Sequence, residues 1–89
     1  MSSSSESFSL SLLRLRVVAD SDPSSISVVI QRFQNLNVVP RRICAEFGTD
    51  DRVHIEVDVC GMTAEQLSLV ASKISQSPSI HRAHWHRLS

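Results

Sequence analysis

Residues 12–30 read LLRLRVVADSDPSSISVVI. In the first part, Leu13, Leu15 and Val17 alternate with Arg14 and Arg16, the two-residue period of a strand with one buried face. The period changes after Asp20. Asp22 offers a carboxylate to cap free helix N–H groups, and Pro23 suits a first helical position, where a missing N–H costs no bond. Ile26, Val29, Ile30 and Phe33 then recur at helical spacing. A strand, a tight polar loop and an amphipathic helix thus follow one another directly, which is the opening of a βα unit.

Working outward, the spacing predicts a first helix from Pro23 to about Leu36, ended by Asn37, a residue that tolerates the left-handed conformation. Val38 to Phe47 is expected to be a strand with Ile43, Ala45 and Phe47 on one face and Arg42, Cys44 and Glu46 on the other. Pro40 cannot donate to a ladder, so this strand belongs at a sheet edge. Gly48 to Asp51 forms a turn, and Val53, Ile55, Val57 and Val59 alternate with His54, Glu56 and Asp58 in a third strand. In that hairpin Cys44 is expected to pair close to Ile55. It lies about 15 Å along the strands from Cys60, too far for a disulfide, and both thiols suit a reducing compartment.

Thr63 and Gln66 have the spacing of a capping box, with Met62 and Leu67 as a hydrophobic staple, and Leu67, Val70, Ala71 and Ile74 give the buried stripe of a second helix. Pro78 bars its continuation. Ile80 to Leu88 is predicted as the last strand, with Ala83 and Trp85 inward and Arg82, His84 and His86 outward. The order is βαββαβ: an α+β, ferredoxin-like fold with a four-stranded antiparallel sheet and two helices on one face.

Length and charge bound the function. A chain of 89 residues holds one domain, expected over residues 10–89 behind a serine-rich, disordered leader at 1–9. Nine Lys and Arg balance nine Asp and Glu, which argues against a protein built to hold polyanions. No apolar run approaches the roughly 20 residues of a spanning helix. The N-terminus lacks a basic stretch followed by an apolar core. A cytoplasmic protein with no membrane partner is expected.

Four arrangements bear on chemistry, the two cysteines above being one. His84 and His86 share a face with His54, but Arg14 and Arg16 are expected to stand between them, and no CxxC or HxxxH spacing is present, so a solvated or interface face is favoured over a metal site. RNA binding on the sheet would need aromatics on the central strands, and Phe8, Phe33, Phe47 and Trp85 all fall elsewhere. Arg14 and Arg16 are instead expected to pair with Glu56 and Asp58 across adjacent strands. No nucleophile, base and orienting group converge, so a non-catalytic protein without cofactors is expected. The fourth arrangement is the loop of Asp20, Asp22, Pro23, Ser24, Ser25 and Ile26. Its helix N-terminus suits the carboxylate of a small amino-acid effector, although capping alone accounts for the same residue types.

The βαββαβ order, the Asp22-Pro23-Ser24-Ser25-Ile26 loop before the first helix and the passage from Phe33 to Ile43 together resemble the ACT domain over about Leu12 to Leu88. Within that family the chain looks most like the short, single-domain small subunit of acetolactate synthase. The resemblance implies a homodimer that binds and activates a thiamin-diphosphate-dependent catalytic large subunit in branched-chain amino-acid synthesis, itself holding neither cofactor nor substrate. It also implies an amino-acid effector in the loop after the first strand. Many ACT domains carry Gly where Ser24 stands, and the short subunits lack it, which goes with weak or absent feedback. Association is expected through the edges of the second and fourth strands and the outward row of Arg14, Arg16, His54, Glu56 and Asp58. The alternative within the same fold is a stand-alone amino-acid sensor acting on another enzyme or regulator; a metal or RNA binder using the sheet face is the remaining one.

Overall fold

The alternation of leucine, valine and arginine builds β1 (Leu13–Asp20) at the centre of a computed structural model that describes residues 11–88. The leader expected over 1–9 lies outside them. The capped loop leads into α1 (Pro23–Asn35), and β2 (Arg42–Phe47) and β3 (Arg52–Val59) form the hairpin. Helix α2 (Ala64–Ser75) and β4 (Ile80–Arg87) complete the βαββαβ order. The strands form one antiparallel sheet in the order β2-β3-β1-β4, so the ferredoxin-like fold read from the sequence is the observed one.

Each period in the sequence becomes a buried face. Leu13, Leu15, Val17 and Ala19 of β1 lie beside Val53, Ile55, Val57 and Val59 of β3, all of them buried. Val29 and Phe33 of α1, and Leu67, Val70, Ala71 and Ile74 of α2, close over them. The start of α2 follows the sequence closely: Thr63 and Gln66 exchange both capping-box bonds, and Met62 and Leu67 are buried. Inward-facing Ala83 and Trp85 pack against the core, and Trp85 Nε1 donates to Ser68 Oγ of α2 at 2.7 Å.

Two details depart from expectation, and a third, the partner of Cys44, refines it. Strand β2 starts at Arg42 rather than Val38. Asn37 takes a left-handed φ of 59°, Val38 N–H still bonds back to Phe33 O, and only Arg41 N–H reaches β3, at Asp58 O. Cys44 faces Glu56, one position beyond Ile55, because the turn places Phe47 across from Val53. In β4 the pairing with β1 shifts between Val18↔Arg82 and Ala19↔Ile80, leaving His81 as an extra, bulged residue.

The apolar face of β2 has the expected phase but no cover. Ile43 and Phe47 point to the helix side of the sheet yet remain 43% and 55% exposed, because α2 packs on β4 and β1, at the opposite side of the sheet. At that opposite side, the ends of the described chain meet: Leu88 N–H donates to Leu12 O at 2.8 Å.

Candidate functional site

The sheet face away from the helices presents cross-strand rows fixed by the register. Arg42, Asp58, Arg14 and His86 form one row; Cys44, Glu56, Arg16 and His84 form the next; Glu46, His54, Val18 and Arg82 form a third. In the first row, Arg14 grips Asp58 with both arms of its guanidinium, Nε to Oδ1 at 2.7 Å and Nη2 to Oδ2 at 3.0 Å. In the second, Arg16 donates to Glu56 through Nη2 at 2.8 Å and Nε at 3.1 Å. Arg42 reaches both carboxylates through Nη1, at 3.3 Å to Glu56 and 3.6 Å to Asp58.

The expected pairing of Arg14 and Arg16 with Asp58 and Glu56 is therefore present, and Arg42 joins it. The outward phase of β2 gave the right face for Arg42; the register Arg42↔Asp58 is what brings it into the group. The electrostatics follow from these bonds. Arg14 holds the Asp58 carboxyl below its usual range despite burial that opposes ionisation, and Asp58 in turn raises Arg14. The hydrogen bond from Arg16 does the same for Glu56, helped by Arg42 and Arg14. Asp58 is 6% exposed, so its pair with Arg14 is partly desolvated, whereas Arg16 and Arg42 hold Glu56 in exposed ion pairs.

His54 stands apart from that network, opposite Glu46 on one side and Val18 on the other. Val18, not the arginine row, separates it from β4, because the antiparallel register sets Val18 between His54 and Arg82. A half-open recess of about 450 Å³ lies here, lined by Arg16, Val18, Glu46, His54, Arg82 and His84. Among the described residues no group of three or more His, Cys, Asp or Glu is placed to hold a metal ion.

The β1–α1 loop is built around Asp22. Its Oδ1 accepts Ser24 N–H at 2.9 Å and its carbonyl accepts Ser25 N–H at 2.9 Å, while Pro23 has no N–H to offer. The Ser24 N–H bond lowers the Asp22 carboxyl from its ordinary value. Ser25 is fully buried and donates its hydroxyl to Asp20 O at 2.9 Å, sealing the loop from below. Ile26 is partly buried against the core. Asp20 Oδ1 lies 2.6 Å from His81 Nε2, a partnership the sequence did not announce because it depends on the β4 bulge. The backbone of the loop is tied to two neighbouring turns, Asp20 N–H to Ser79 O and Ser21 N–H to Asp51 O. The N–H groups of Ser24 and Ser25 are thus engaged by Asp22 itself, and the loop presents the carboxylates of Asp20 and Asp22.

No protein-family model and no curated protein matches the sequence. Solved structures do. The C-terminal domain of the MgtC protein from Mycobacterium tuberculosis superposes with a TM-score of 0.73 at 19% identity, covering 90% of this chain and 89% of that one. The ACT domain from GTP pyrophosphokinase of Chlorobium tepidum superposes with a TM-score of 0.72 at 10% identity, covering 86% of this chain and 99% of that domain. The fold is ACT-like. Part of a homoserine dehydrogenase from Thiobacillus denitrificans also superposes, with a TM-score of 0.73 and 12% identity over 90% of this chain but only 18% of the enzyme. No helix among the described residues is long and apolar enough to cross a membrane.

Proposed function

We propose that this chain is a non-catalytic regulatory subunit that binds and activates a catalytic partner, and that the partner is a thiamin-diphosphate-dependent acetolactate synthase. The observation that supports it most is one of extent. The described residues superpose on nearly the whole of an isolated ACT domain, which supports a module that acts by association. The choice of acetolactate synthase rests on the Asp22-Pro23-Ser24-Ser25-Ile26 loop and its likeness to the short subunits.

The effector loop accounts for the form of regulation. Asp22 fills the position at the N-terminus of α1 that an amino-acid carboxylate would take. A free amino acid must displace that carboxylate to place its own at the helix N-terminus, and that competition weakens feedback. Any effector acts only through unequal affinity for two states of the assembly. Activation with weak or no amino-acid inhibition is the expected behaviour.

The test is acetolactate formation by a large subunit with and without this chain, with valine, leucine and isoleucine added in turn. Activation that none of the three reverses supports the proposal in full. Activation reversed by one of them keeps the partner and makes Asp20, Asp22, Pro23, Ser24, Ser25 and Ile26 an effector site. No activation and no co-purified complex overturns it in favour of a stand-alone ACT-like sensor.

A further inference from the structure

Helices α1 and α2 close the core with their inner faces and leave an outer seam between them. One face of α2 carries Gln66, Leu69, Val70 and Lys73 at i, i+3, i+4 and i+7, and the end of α1 carries Arg32, Asn35 and Leu36 at i, i+3 and i+4. These residues line a half-open groove of about 460 Å³. That size falls among small-molecule clefts, roughly 300–1,000 Å³. Met62 and Val70, both buried, form its floor, and Leu36 and Leu69, 51% and 65% exposed, form its lips. No acidic residue lines it.

The groove has one charged end. Arg32, Asn35 and Lys73 also line a neighbouring recess of about 370 Å³, whose walls include Gln31, Gln76 and Ser77. They therefore stand at the boundary between an apolar trough and a polar one. Both cations occupy the last turn of their helices, where the macrodipole favours positive charge. Neither has an ion-pair partner among the described residues. From Lys73 back to Gln66 the α2 side of the groove runs for about 10 Å of helix, the length of an extended medium-chain fatty acid.

We infer that this groove binds a medium-chain fatty acid, with the carboxylate between Arg32 and Lys73 and the chain laid along Leu36, Met62, Leu69 and Val70. The two cations supply charge-assisted hydrogen bonds to the head, and the chain takes the apolar floor and lips out of water. A neutral alkyl chain leaves the cations without a counter-charge. A short carboxylate leaves the leucines wet, so an amphiphile alone satisfies both ends of the groove. Beyond Leu69, one turn nearer the start of α2, stands the exposed Glu65. The methyl end of a fatty acid stops short of that charge, whereas an acidic partner helix running on along α2 would meet it. The site lies toward the C-terminal end of α1, away from the β1–α1 loop, and does not depend on the regulatory reading.

Sodium decanoate, kept below its micellar concentration, is the probe, with decanol and acetate as controls for the chain and the head. Titrated into the full chain, decanoate should shift the amide signals of Leu36, Leu69 and Val70 saturably in nitrogen-edited spectra. Decanol should bind about tenfold or more weakly, and acetate should leave those signals unmoved. Arg32→Gln with Lys73→Gln should weaken decanoate by a similar factor without changing decanol, whereas Leu69→Ser should weaken both. Arg32→Lys, which keeps the charge, should retain most of the affinity, and circular dichroism melts check that each variant is folded. Absence of saturable shifts at those residues, equal binding of decanol and decanoate, or decanoate binding that survives the paired substitution overturns the proposal. So does a groove that ignores decanoate and takes a leucine-bearing acidic peptide helix, which would assign it to a partner protein.

Discussion

Asp22 shows how much one side chain settles. Its carboxylate begins α1 by accepting Ser24 N–H and so also fills the position an incoming anion would take. Asp22→Ala should lower Tm by a few degrees, while Asp22→Asn, which keeps the accepting oxygen, should hold most of it; circular dichroism melts distinguish the two. The carboxylates of the sheet face and of the α1 cap set the pH response. Asp58, Glu56 and Asp22 all have folded values below their ordinary ones. Stability that depends on their charge is complete above the ordinary carboxylate range, near about pH 4, and is lost as pH falls below that range through the folded values. Urea titrations from neutral pH downward should show this decline, and Asp58→Asn should flatten it while lowering stability at pH 7. At this scale the sequence was legible where partners sit across a regular ladder, as for Arg14 and Arg16. It was silent on His81 and Asp20, whose meeting depends on a single extra residue in β4.

The elements were legible to the extent that their end signals are local. Helix α2 begins where Thr63, Gln66, Met62 and Leu67 place it, because a capping box and its staple act within one turn. Strand β2 begins later than its composition suggests, since Val38 to Arg41 is governed by the left-handed Asn37 and by Pro40. Whether a face is covered cannot be read from alternation at all: Ile43, Ala45 and Phe47 alternate as cleanly as Val53, Ile55 and Val57, and only the latter are buried. Helix α1 depends on a narrow stripe in which only Val29 and Phe33 among its apolar residues are fully buried. Phe33→Ala should therefore cost about 3–5 kcal/mol in urea unfolding, at the level of a large core cavity. Phe47→Ala should cost far less in the isolated chain, and comparison of the two measures how unevenly the helices cover the sheet.

For the molecule as a whole, sheet order joins everything to β1, which pairs with both β3 and β4 and lies beneath α2. A core shared in this way should unfold as one unit. Trp85, the single tryptophan, bridges β4 and α2 through Ser68, far along the chain from the hairpin. Its fluorescence and the far-ultraviolet signal of the whole chain should give coincident urea transitions; separated midpoints would show that the β2–β3 hairpin opens on its own.

The bond between Leu88 and Leu12 has a consequence for protein construction. The described chain enters and leaves through neighbouring strands at one end of the sheet, separated by a single inter-strand spacing of about 4.8 Å. A unit with such a doorway can be spliced into a surface turn of another protein without prying that turn apart. It can equally be recut, with its two ends joined by a short tether and new ones opened at the exposed Gly48–Asp51 turn, while every strand keeps its neighbour.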